Sequence, residues 1–270
     1  MSDILQKILA TKYREVSEAQ KIVSLDAMRK RAESAPPVRD FVAAIRARHA
    51  AGKIAVIAEI KRASPSAGEF RAKHGGSFDP IAYAQSYERH GATCLSVLTD
   101  REYFQGSVAD LVAARAACSL PVIRKDFIID PYQIVEARAM GADAVLFIMG
   151  AVDIAQVRAW EKLAKSMGLA VLAEAHDEDE LHQALTLETP LIGVNNRDLT
   201  RFTTDVGTTL RLQHHVPAAR ILVTESGVDN AEVASQLTKQ GIRTFLIGGA
   251  LMGLPDPGAG LITLFPRQLL

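Results

Sequence analysis

Beyond residue 53 the chain alternates short, largely apolar runs with longer stretches whose apolar positions recur every three or four residues. The runs are Ile54–Ile60, Cys94–Leu98, Pro121–Ile123, Ala144–Ile148, Ala170–Leu172, Leu191–Val194, Ile221–Thr224 and Thr244–Ile247. Runs such as Ala144–Ile148 and Leu191–Val194 show no polar alternation, as strands buried on both faces must be. The stretches between them carry helix signals. Asp79-Pro80 and Asp130-Pro131 each put a capping residue before a proline at the first helical position. Asp153 with Gln156, and Asp229 with Glu232, have capping-box spacing. Gly91, Gly141, Gly168 and Gly241 stand where helices end and the chain turns into the next strand.

Eight strand–helix units in series over about 220 residues predict an α/β fold, a (β/α)8 barrel. An open doubly wound sheet is the alternative, but it usually binds nucleotides through a glycine-rich first loop. Here the first strand runs into Lys61-Arg-Ala-Ser-Pro-Ser66. Residues 1–50 have a different texture, rich in Ala, Lys, Arg and Glu. Ile4, Leu5, Ile8 and Leu9 form one amphipathic face, Pro36-Pro37 interrupts, and Val38–His49 reads as a further helix. The expected organisation is a helical extension over 1–50 and a barrel over 51–270, forming a single domain.

Composition narrows the class. Hydrophobic residues are 48% and charged residues 23% of the 270, an ordinary globular balance. Thirty-one basic residues cancel 31 acidic ones, which argues against a nucleic-acid or anionic-membrane partner. Two cysteines make no disulfide framework, no apolar stretch reaches bilayer-spanning length, and the N-terminus lacks a secretory pattern. A soluble, cytoplasmic protein is expected.

A barrel places its active site at the carboxyl ends of the strands, so the residues following each run are the informative ones. Strand one ends Glu59-Ile60-Lys61, with the two charges on one face. Strand three runs into Arg124-Lys125-Asp126-Phe127, and strand five into Glu174. Strand six ends in Asn195-Asn196-Arg197-Asp198, strand seven in Glu225-Ser226-Gly227 and strand eight in Gly248-Gly249. One such charge is ordinarily a solvated loop residue. The same pattern on five of eight strands, at one end, points to a site, because apolar strands do not otherwise carry charges together. Lys61, Lys125 and Arg197 against Glu59, Glu174 and Glu225 suit an anionic substrate undergoing proton transfers. Ser226-Gly227 and Gly248-Gly249 free backbone N–H groups where barrels often hold phosphate.

Other chemistries find little support. The histidines include no i, i+4 metal pair with a helical glutamate, and His214-His215 reads as solvated. Cys94 and Cys118 read as packing residues, as does Trp160 in the helix after strand four. No metal and no cofactor are expected.

Taken in order, the segments Ile57–Ser66, Ser96–Asp100, Tyr103–Ser107, Arg124–Asp130, Gly193–Leu199, Glu225–Gly227 and Leu246–Gly248 resemble the indole-3-glycerol phosphate synthase family over about residues 4–266. The resemblance implies conversion of 1-(2-carboxyphenylamino)-1-deoxyribulose 5-phosphate to indole-3-glycerol phosphate, carbon dioxide and water, without a cofactor. It implies Lys125 as the general acid of ring closure, Glu174 as general base and Glu59 as a second acid/base or orienting carboxylate. Lys61 would meet the substrate's carboxylate or phosphate and serve as the acid of dehydration. Asn195 would hold Glu174, with Arg197 and Glu225 completing the polar ring. Phosphate would lie at Ser226, Gly227, Gly248 and Gly249 near Lys61. Phe104, Phe127 and Leu146 would wall the aromatic ring, and Ser64 would add a contact. By the same resemblance, the helical extension over 1–50 would lie over the barrel mouth.

Two positions depart from the family pattern: Gly249 stands where many relatives carry serine or glutamate, and Ala67 where many carry lysine. Set against this reading are a phosphoribosylanthranilate isomerase-like barrel and a catalytically silent phosphate-binding barrel. A monomer or weak homodimer acting on a small molecule is expected.

Overall fold

The computed structural model describes residues 3–65, 68–70, 77–198 and 203–270; Ser66, Ala67, His74 and Leu199 lie outside them. Eight parallel strands close into a barrel: β1 (Ala55–Ile60), β2 (Cys94–Leu98), β3 (Val122–Lys125), β4 (Ala144–Ile148), β5 (Ala170–Ala175), β6 (Leu191–Asn195), β7 (Ile221–Glu225) and β8 (Thr244–Ile247). Consecutive strands pair, and β1 closes the ring against β8, with Ala55 opposite Thr244 and Ala58 opposite Ile247. A two-stranded ribbon, Ala63–Ser64 with Gly68–Glu69, follows β1.

The helices are α1 (Asp3–Ile22), α2 (Leu25–Glu33), α3 (Phe41–Ala50), α4 (Pro80–Arg89), α5 (Val108–Ala116), α6 (Pro131–Ala139), α7 (Ile154–Ser166), α8 (Glu178–Leu185), α9 (Gly207–Leu212), α10 (Ala231–Lys239), α11 (Gly249–Met252) and α12 (Pro257–Leu264). Asp79 caps α4 through the amides of Ile81 and Ala82, and Asp130 with Gln133 forms a capping box on α6. Gly91, Gly141, Gly168 and Gly241 have φ between +77° and +91°, the left-handed turn that a helix end asks of glycine. Two details differ from the sequence reading. Helix α10 is capped by Asn230, not Asp229, because Asn230 is the extended residue whose side chain reaches the Val233 amide. Helix α3 starts at Phe41 rather than Val38, since Asp40 is extended and accepts from the Ala43 amide.

Strand parity sorts the side chains. Val56, Ala58 and Ile60 face the helices, while Ala55 and Ile57 point into the barrel, and each other strand does the same. The lower interior is an apolar plug of Ile57, Cys94, Ile123, Leu146, Leu172, Leu191 and Val223, and α3 adds Phe41 and Ile45 beneath it. The N-terminal segment therefore serves both ends of the barrel. Its α1 and α2 pack on α6 through Leu5, Leu9, Val16, Met28, Tyr132 and Val135, and Ile4, Leu5 and Ile8 reach the cavity at the other end. Among the described residues no helix is long and apolar enough to cross a membrane.

Candidate active site

The same parity that fills the lower barrel with methyl groups delivers polar groups above it. On β1 the inward series 55, 57 continues to Glu59. On β3, β5, β6 and β7 it reaches Lys125, Glu174, Asn195 and Glu225, the last or next-to-last residue of each strand. These strands extend two or three residues past the apolar runs in the third and fifth cases, so the charged residues belong to the rigid sheet and not to its loops. They ring a cavity of about 310 Å³ at the carboxyl end of the barrel.

Lys125 is the centre. Its Nζ lies 2.8 Å from Glu174 Oε2 and 2.7 Å from Glu225 Oε2. Burial works against its charge, but Glu174, Glu225 and Glu59 overcome that and hold its pKa well above the ordinary lysine range. Asn195 Nδ2 donates to Glu174 Oε1 at 3.1 Å, and its Oδ1 accepts from the Arg197 amide at 3.0 Å. Burial pushes the Glu174 carboxyl up, yet Lys125 and the neighbouring His176 pull it well below the usual range. Glu225 goes the other way, up to about 8, because burial and the charge of Glu174 outweigh the attraction of Lys125. Lys61 Nζ meets Glu59 Oε1 at 2.5 Å and lies 5.5 Å from the centroid of the Phe70 ring.

Glycines make room for these carboxylates. A Cβ on Gly193 would strike Glu225 Oε1, and one on Gly248 would strike Glu59. Ser226 and Gly227 both have left-handed backbones, φ +63° and +81°. The strained serine is supported from behind, since Asn196 Nδ2 donates to the carbonyls of Glu225 and Ser226 at 3.0 Å. One wall is aromatic, with Phe104 and Phe127 centroids 6.1 Å apart. Leu146 and Ile148 form the floor beside them, and Ser64, Arg197, Ser226, Gly227, Gly248 and Gly249 complete the lining.

All the residues to which the resemblance gives a site role thus line one cavity. Three groups that sequence reading passed over support it. His176, the residue after β5, lies 3.4 Å from Glu174. Alternation along β3 turns Arg124 outward to Asp126, Glu136 and Thr99, so the loop carrying Phe127 is pinned from outside. Lys12 of α1, only 3% exposed, reaches Asp100 at 2.8 Å, Asp126 at 3.0 Å and Glu15 at 2.7 Å. Of the described residues, Glu178, His182 and His215 bring three potential donor atoms within 4.8 Å of one another, but all are exposed and none lines the cavity.

A closed parallel barrel whose strand ends hold a buried ammonium between carboxylates, with an aromatic wall and a glycine-lined rim, belongs to the (β/α)8-barrel enzymes of acid–base chemistry. The comparisons narrow this. A family model described as "Indole-3-glycerol phosphate synthase" matches residues 5–264. A relative of that name from Polaromonas naphthalenivorans is 54% identical over 265 residues, 98% of this chain and 99% of its own. One from Chromobacterium violaceum is 52% identical over 268 residues, 99% of this chain and all of its own. The chain belongs to the indole-3-glycerol phosphate synthase family. Among solved structures, a tryptophan synthase alpha chain from Legionella pneumophila matches with TM-score 0.59 at 13% identity, over 84% of this chain and 95% of that one. That likeness reflects the shared barrel.

Proposed function

We propose that this enzyme, a carboxy-lyase, closes the indole ring of 1-(2-carboxyphenylamino)-1-deoxyribulose 5-phosphate, releasing carbon dioxide and water. The observation that carries the residue assignment is the Lys125 ammonium held inside the cavity between Glu174 and Glu225, facing the Phe104–Phe127 wall. The ring carbon bearing the carboxylate attacks the ketone carbon, the carbonyl π pair moves to oxygen, and that oxygen takes a proton from Lys125. Charge building on oxygen is where a preorganised cation is worth most. The bond to the carboxylate then breaks, its electron pair restores aromaticity, and carbon dioxide departs. In dehydration the new hydroxyl leaves as water with a proton from Lys61, while Glu174 takes the proton from the adjacent carbon. Glu59 orients Lys61, Asn195 orients Glu174, and Arg197 and Glu225 complete the polar ring.

The aromatic ring would lie between Phe104, Phe127 and Leu146, with Ser64 as a further contact. The phosphate would rest on the backbone of Ser226, Gly227, Gly248 and Gly249 near Lys61. Because attacking carbon and ketone belong to one molecule, holding the folded conformer supplies much of the acceleration. The protein would work in the cytoplasm as a monomer or weak homodimer, on a small molecule and with neither nucleic acid nor membrane as partner.

The test mixes purified protein with the substrate and follows indole fluorescence. Turnover by wild type, with Lys125→Ala losing at least about a thousandfold in kcat while a reduced substrate analogue still binds, supports the assignment. Near-normal turnover in Lys125→Ala removes Lys125 from the role of acid.

A further inference from the structure

Two carboxylates share one ammonium, and only an ionised one can act as base. Lys125 Nζ is 2.8 Å from Glu174 and 2.7 Å from Glu225, so the lysine does not choose between them. The difference lies in the remaining oxygens. Glu174 Oε1 accepts from Asn195 and lies 3.4 Å from His176 Nε2. Glu225 Oε1 is buried without a hydrogen-bond partner. His176 is itself anchored, since Glu180 Oε2 on α8 accepts from both its backbone amide and its Nδ1 at 2.9 Å. Nδ1 donates to Glu180, while Nε2 faces the Glu174 carboxylate at 3.4 Å without a hydrogen bond; a bare lone pair at Nε2 would repel that carboxylate, so the ring is held as an imidazolium.

We propose that His176, backed by Glu180, is a positioning residue that pins the negative charge on Glu174 and leaves the shared proton on Glu225. This rests on reading Glu174 as the base. With Glu225 neutral, the charges of Lys125 and His176 balance those of Glu174 and Glu180, and the cluster is neutral where water is largely excluded. The other charged groups nearby include Glu59 on β1, whose charge also reaches Lys125, Lys61, paired with Glu59, and Arg197 after β6, which lines the same cavity. From α8 itself, Asp177 is turned back to cap the helix at the Glu180 amide. The electrostatics agree: burial opposes the charge of His176, but Glu174 and Glu180 carry its pKa up to about 10.

The test has two arms on the full-length protein. The first is a pH titration by carbon NMR of protein labelled at the glutamate side-chain carboxyls, with Glu174→Gln and Glu225→Gln assigning the two signals. The second is the pH profile of kcat/KM. In wild type the Glu225 signal titrates near pH 8, and that of Glu174 titrates well below the ordinary glutamate range. In His176→Gln the Glu174 titration and the acid limb of kcat/KM both rise by about one unit or more. Glu180→Gln, which leaves the ring in place, moves them the same way by less, and His176→Lys returns them toward wild type. An unmoved Glu174 titration in folded His176→Gln or Glu180→Gln overturns the proposal, whatever happens to kcat. A Glu174 signal that moves while the rate profile stays put upholds the pinning and removes Glu174 from the role of base.

Discussion

Glu225 sits with one oxygen on the Lys125 ammonium and the other facing no donor, an environment that favours the neutral acid. Its folded pKa, up to about 8, stands above the ordinary 4.5. The stability linked to its protonation is therefore fully present below about pH 4.5 and lost as pH rises through 8. Glu225→Gln keeps the neutral form at every pH, so its melting temperature should gain on wild type by a few degrees between pH 5 and 9. A difference that stays flat across that range would show that Glu225 is ionised throughout. A second residue-level prediction separates phosphate binding from strain. Gly227 has φ +81°, and a Cβ there would meet Thr204 and Val206 within 3 Å, so Gly227→Ala should cost about 1–3 kcal/mol whatever the ligand does. Gly249 has open space in place of a Cβ. Gly249→Val should leave urea unfolding within about 0.5 kcal/mol of wild type while raising KM at least fivefold; an unchanged KM would move the phosphate elsewhere.

At the scale of elements, the attachment of α1 is decided by one lysine. Lys12 is buried with Asp100 and Asp126, and Asp100 Oδ1 also accepts from the amides of Tyr103 and Phe104. Burial opposes the lysine's charge, but the two aspartates hold its pKa far above normal. Lys12→Met strips buried Asp100 of its cation and leaves Asp126 with Arg124 alone, and should cost roughly 3–5 kcal/mol by urea unfolding. It should also open α1 to proteolysis ahead of the barrel. A loss under 1 kcal/mol would show that the apolar contacts of Leu5, Leu9 and Val16 suffice. Nothing in the local sequence marks Lys12, because a lysine on a helix with polar neighbours reads as solvated. Its two aspartate partners come from different βα loops far along the chain. His176 escaped notice for a related reason: a histidine just past a strand is ordinary until Glu180, one helical turn on, is seen to fix its ring. The strand ends were legible because parity carries over from the apolar residues below them. Glu59 and Lys61 lie on the inward side for the same reason that Ala55 and Ile57 do. The caps show the limit of this reading, since Asp229 and Asn230 are equally good capping residues and only backbone geometry separates them.

For the whole molecule, eight apolar runs were enough to reveal the barrel because a parallel strand covered on both faces has no room for alternation. What they could not reveal was the division of the first fifty residues between two ends, since apolar helical faces look alike whether they cover a mouth or seal a base. The even charge balance, 31 against 31, has its own outcome. The protein should pass through immobilised heparin at 0.15 M salt without retention, and retention lost only at high salt would reveal a basic face that the totals conceal.

The closure of β1 on β8 also sets a timetable. Strand β1 leaves the ribosome early, yet its partner at Thr244 emerges only after most of the chain, a wait of roughly ten to forty seconds at ordinary rates of synthesis. Until then Phe41 and Ile45 have no finished base to seal, whereas the aspartates that Lys12 needs are already made once residue 126 has emerged. Helix α3 is thus made early and docks late, and its burial on a nascent chain would mark the moment the ring is complete.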